Sequence, residues 1–186
     1  SMVLLDGAAL AAVLVLASGK TGQGPKKMVG WRTNGWLRDC RQGLLAYAAL
    51  LPALTVAMLI VVGIAARLHY TPPPEALLGL FLNESRWPIL LAATLFVCLL
   101  GPIVEETVFR GVLYAAVRRR WGVRWGIVIS AGCFAALHTN PVGLLPIWLL
   151  GGTLAYLYET TGSLVPSITL HVVHNTMMMT CLWFIK

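Results

Sequence analysis

Six apolar stretches divide the chain, and short polar or Pro/Gly-rich segments separate them. They fall at about residues 3–17, 44–67, 87–118, 125–137, 144–158 and 167–185. A bilayer crossing takes roughly 20 apolar residues in a helix. A membrane barrel would need strands of about ten residues with alternating polarity, and no such pattern is present. The expected fold is therefore an all-α, multi-pass transmembrane helical bundle of about six helices with an intramembrane polar cavity. The third stretch is longer than one crossing needs and contains Gly101-Pro102, which predicts a kink or break there. The run Thr71-Pro72-Pro73-Pro74 reads as a rigid loop, and a short amphipathic segment follows it as far as Arg86. Pro166, just after the Thr160-Thr161-Gly162 turn, suits the first turn of the last helix.

Composition supports this reading. Hydrophobic residues make up 58% of the chain and charged residues 11%, with a mean hydropathy of +0.78. A soluble domain carries about 25% charged residues. The net charge of +7 would suit nucleic acid in a soluble protein. Here ten of the fourteen basic residues crowd into two segments, residues 19–41 and 118–124. Two spans separate those segments, so the positive-inside rule puts both on the cytoplasmic side, next to anionic lipid headgroups. Membrane lipids are the expected partners of this charge, and nucleic acid is not. Trp87 and Trp125 stand at span ends, where tryptophan anchors a helix at the interface. Cys40, Cys98, Cys133 and Cys181 form no CxxC pair and read as small packing residues. With no long linker and no repeat, residues 1–186 read as one integral membrane domain.

Ionisable groups inside apolar spans change the picture most, because each costs at least about 2.5–3.5 kcal/mol to insert. Glu105 and Glu106 lie deep within LLGPIVEETVFRGVLYAA. Glu106 and Arg110 are one turn apart and share a helical face, so they form a natural ion pair. Glu105 points about 100° away and lacks that partner. His138, His171 and His174 also lie within or at the ends of spans. His171 and Asn175 share a face, and His174 points elsewhere. His69, beside the Pro-rich loop, reads as a surface residue. Counted from the basic side at 1.5 Å per residue, Glu106 lies roughly 18 Å deep, His138 about 21 Å, Asn175 about 14 Å and His171 about 8 Å. On that count Glu105, His138 and Asn175 can meet in one layer. Such a cluster within a membrane marks a functional site.

Three motifs now stand in order. They are EExxxR (Glu105, Glu106, Arg110), FxxxH (Phe134 to His138) and HxxxN (His171 to Asn175). With the flanking ETTGSLVPSITLH, they resemble the CPBP family of intramembrane proteases, also called CAAX proteases and bacteriocin-processing or Abi proteins. The resemblance covers residues 90–178, the expected protease core. It implies peptide-bond hydrolysis by an activated water, acting on a membrane-associated, prenylated or peptide substrate. In that scheme Glu105 and His138 hold and activate the water. His171 and Asn175 face the developing oxyanion, and Glu106 with Arg110 supports the site. Glu105, His138 and His171 could also make a three-ligand zinc site with an open fourth position. A metal-free glutamate mechanism uses the same residues, and Asn175, a poor zinc ligand, favours it. HExxH, GxSG and an intramembrane Asp pair are all absent.

Two other classes compete. One is a catalytically silent scaffold or bacteriocin self-immunity protein, against which the intact motifs argue. The other is a proton-coupled transporter, because intramembrane Glu and His also relay protons. The single clustered site and the lack of a repeat favour the protease.

Overall fold

A computed structural model describes residues 35–72, 76–138 and 140–185. Among them the chain is helical, with no strand. Helix α1 spans Trp36–Arg67, α2 Ala76–Asn83, α3 Trp87–Ala136, α4 Leu144–Thr161 and α5 Leu164–Ile185. A 3-10 turn, Pro141–Gly143, leads into α4. Among the described residues there are thus five helices. The expected first span, residues 3–17, and most of the first basic loop lie outside the described residues. Three helical segments are long and apolar enough to cross a bilayer: Trp36–Arg67, Trp87–Ala136 and Pro141–Thr161. Helix α5 carries the polar residues His171, His174 and Asn175.

Helix α3 departs most from expectation. Residues 118–124, read from sequence as a basic loop, are helical on both sides of a single break at Gly122. Gly122 has φ 83° and ψ 176°, a conformation essentially reserved for glycine. The chain turns back on itself there. Gly126, four residues on, lies so close to the first leg that a Cβ would meet Tyr114 at 2.9 Å and Arg118 Cβ at 3.2 Å. Pro102 does not break the first leg. That leg stays helical but widens into π turns at Phe96–Leu100 and Thr107–Tyr114, on either side of Gly101–Glu106. Such turns accommodate one extra residue and often mark functional sites.

Packing gathers α1, α4 and α5 around Tyr47, Leu54, Leu150, Leu154, Leu157 and Leu170. Small residues let the backbones approach, as they do where lipid supplies no hydrophobic drive. A Cβ at Gly43 would meet the Pro166 carbonyl at 2.5 Å and Thr169 Cβ at 2.9 Å. Helix α2 docks Phe81 edge-on against Trp183 of α5, and Trp87 leans on the same ring. In the turn before α3, Arg86 grips Glu84 and holds its carboxyl down at about 2. At the far end of α4, Gly162 takes the left-handed conformation that ends a helix, with its N–H on the Tyr158 carbonyl. Pro166 then falls in the first turn of α5, as the sequence predicts.

The expected polar cavity is not the groove seen between the second leg of α3 and α4. Ile127, Ala131, Trp148 and Tyr156 are among the residues lining that groove, which is apolar and holds no motif residue. Cys133 and Cys181, read as packing residues, are exposed.

Candidate active site

The short α-helical turn Gly101–Glu106, between the two π turns, presents the two glutamates. Glu106 faces inward. It and Arg110 are fully buried, with Arg110 Nη1 donating to Glu106 Oε1 at 2.8 Å. A buried ion pair needs further hydrogen bonds to offset its desolvation. Arg110 Nη2 finds one in the Gly151 carbonyl of α4, at 3.0 Å. Gly151 can offer it because α3 and α4 touch there: a Cβ would meet Ala131 Cα at 3.1 Å and the Phe134 ring at 3.3 Å. The guanidinium also lies 4.6 Å from the centre of the Phe134 ring, within cation–π range. Ser130 ties the second leg to the π turn through the Phe109 carbonyl, at 3.2 Å.

Helix α5 completes the cluster. His171 is buried, and its Nδ1 lies 2.9 Å from Glu106 Oε1. That oxygen also accepts from Arg110, and the imidazole donates to it through Nδ1–H. The other ring nitrogen, Nε2, faces away from Glu106. It points at Glu105 Oε2, 3.7 Å away. Glu105 remains 38% exposed. Two adjacent carboxylates therefore occupy different environments. One is buried and charge-paired; the other is accessible and faces a ring nitrogen. Glu106 Oε2 and Arg110 Nε are buried without a hydrogen-bond partner, a cost of about 1–3 kcal/mol each that packing alone does not explain.

The count of helical rise set His171 well above the glutamates, but the structure brings it into direct contact with Glu106. The count took every helix as straight and measured depth from loop ends. The two wide turns of α3 break that assumption. His138 is exposed at the end of the second leg, with Nδ1 2.9 Å from the Phe134 carbonyl. Its ring packs on Phe134 at 5.0 Å, and His171 packs edge-on against the same ring at 5.6 Å. Phe134 thus supports both histidines and Arg110. Asn175 donates from Nδ2 to the Val97 carbonyl at 2.9 Å. His174 turns away, towards Tyr47 Oη at 3.3 Å. The Gly151 and Val97 carbonyls are the contributors that sequence reasoning missed, since a backbone acceptor leaves no mark on residue type.

The candidate zinc ligands of the sequence are Glu105, His138 and His171. Among the described residues no three His, Cys, Asp or Glu side chains group as metal ligands. As arranged, Glu105 and His171 stand 3.7 Å apart, and His138 Nδ1 is engaged by Phe134.

Residues 86–177, which hold this whole cluster, match the family model of the Rce1-like type II CAAX prenyl endopeptidases. The match takes in all three motifs and about half of the chain, so the core is similar to this family of membrane endopeptidases. A protein of Bacillus subtilis (strain 168) named "Putative membrane peptidase YdiL" is 31% identical over 78 residues, which is 42% of this chain. That alignment spans only 32% of the Bacillus protein's length. No solved structure matches the chain. The family and the three apolar helical segments together make this an integral membrane protein.

Proposed function

We propose that the chain is an intramembrane endopeptidase that hydrolyses a peptide bond of a membrane-associated substrate, prenylated or peptide, using water activated at Glu105 and His138. The observation that carries this reading is the division of labour between the two glutamates. Glu106 is neutralised by Arg110 and His171, whereas Glu105 is accessible and lies beside an imidazole.

In this scheme Glu105 takes a proton from water as its oxygen attacks the scissile carbonyl carbon. His138 donates Nδ1–H to the Phe134 carbonyl, so its Nε2 is free to accept from the same water. The carbonyl π pair moves onto oxygen. A protonated His171, held through Nδ1 by Glu106, can donate from Nε2 to that oxyanion. Such a donor counts for most where water is scarce. Collapse breaks the C–N bond, and the proton held on Glu105 passes to the leaving amine. The basic residues at the Gly122 end are proposed to face the cytoplasm.

The test is cleavage of a panel of fluorogenic peptides, one of them farnesylated, by purified protein in detergent. Glu105→Ala should abolish turnover, and wild-type activity should survive a chelator. Loss with chelator that zinc restores would assign the water to a metal instead. Equal cleavage by wild type and variant would sink the proposal.

A further inference from the structure

The first π turn of α3 has an unusual donor balance. Gly101 N–H reaches back five residues to the Phe96 carbonyl, which sets the wide register. The next donor in that register would be residue 102, reaching the Val97 carbonyl. Residue 102 is proline and has no N–H. The Val97 carbonyl is therefore orphaned deep in an apolar span, where an unmet polar group is costly. The atom that meets it comes from another helix: Asn175 Nδ2, at 2.9 Å.

We propose that Asn175 is a positioning residue acting through Val97, donating the hydrogen bond that Pro102 withholds and so fixing the wide turn from which Glu105 is projected. The consequence for the site is large. One residue more or less in a helical turn rotates every later side chain by one position, roughly 100° at 3.6 residues per turn. Relative to the preceding segment and the helices packed on it, losing the wide turn would bring Glu105 towards the place of Glu106. Asn175 thus secures which glutamate meets the buried face of His171 and which stays accessible, using a donor one turn beyond His171 on the same helix.

The hydrogen bond itself does not depend on the protease reading; only its effect on turnover does. A double-mutant cycle on the full chain in detergent separates the two. Asn175→Ala should lower the melting temperature by about 2–4 °C, the shift expected for loss of one part-buried hydrogen bond in a chain of this size. Pro102→Ala restores an N–H at residue 102. It should recover most of that loss in the Asn175→Ala background and little in the wild-type background. If Pro102→Ala has the same effect in both backgrounds, or Asn175→Ala does not lower the melting temperature, the proposal is overturned. Should Pro102→Ala fail to fold, a 13C=18O label on Val97 reads the same bond by infrared spectroscopy. Its carbonyl stretch should move up in Asn175→Ala, and an unmoved band would overturn the proposal.

For any peptide the wild type cleaves, kcat should fall in Asn175→Ala and return in the double variant with KM little changed. An Asn175 that served only as an oxyanion donor would show no such rescue. Absence of cleavage alongside an intact melting cycle would count against the protease reading and leave the pairing standing.

Discussion

Adjacent residues on a helix project about 100° apart, so the two glutamates meet opposite nitrogens of His171 and otherwise differ in surroundings. Glu106 meets Arg110 and His171 in a fully buried cluster, whereas Glu105 keeps 38% of its side chain accessible. Substitution by glutamine should separate the two roles. Glu106→Gln leaves Arg110 as an unpaired buried cation and should cost about 3–5 kcal/mol. Glu105→Gln changes a partly exposed group whose nearest ionisable partner is 3.7 Å away, so it should shift stability by no more than about 0.5 kcal/mol. Denaturation in detergent measures both. Equal losses would mean that the carboxylates share one structural task. On the protease reading, the well-folded Glu105→Gln protein is also the inactive one.

Elements hold these side chains through contacts made by glycines. Gly122 reverses α3 at φ 83° and ψ 176°, where any Cβ is strained. Gly122→Ala should cost about 1–3 kcal/mol with little direct effect on the glutamates, read as a lower melting temperature with intact turnover per folded molecule. Gly151 acts differently, through space. Its φ is unremarkable, but a Cβ would push α4 off Ala131 and Phe134 and draw its carbonyl away from Arg110. Gly151→Val should therefore lose both stability, by about 1–3 kcal/mol from overpacking, and any cleavage activity. Retained activity in Gly151→Val would show that the Arg110 contact to α4 is dispensable.

At the scale of the molecule, one end of the bundle collects the arginines of residues 118–124 together with Arg38 and Arg41. Arg118 pairs with Glu159 across α3 and α4 at 2.7 Å, Tyr114 joins the same carboxylate at 2.6 Å, and Gly43 near the start of α1 docks on Pro166. Arg38 and Arg119 therefore belong to the same end, with His69 a full helix length away at the close of α1. In a chain with its native cysteines replaced, Arg38→Cys and Arg119→Cys should react with an impermeant thiol reagent from one side of sealed vesicles. His69→Cys should react from the other. Labelling of Arg38→Cys and Arg119→Cys from opposite sides would contradict this arrangement of the bundle.

The sequence by itself determined that the chain is a helical membrane protein. Apolar stretches of spanning length leave the backbone no other way to satisfy its hydrogen bonds in lipid. It also identified the motif residues, because charged and imidazole side chains in such stretches are too costly to be incidental. Pairing at short range was equally legible: Glu106 with Arg110, and His174 facing away from His171 and Asn175, follow from helical periodicity. Only the tertiary structure decided that His171 bonds Glu106, that Gly151 and Val97 supply carbonyls, and that residues 118–121 are helix rather than loop. Those outcomes depend on how helices slide and rotate against one another. Periodicity places a side chain on its own helix, whereas the height and angle of a neighbouring helix come from close packing at small residues and from π turns that shift the register by one.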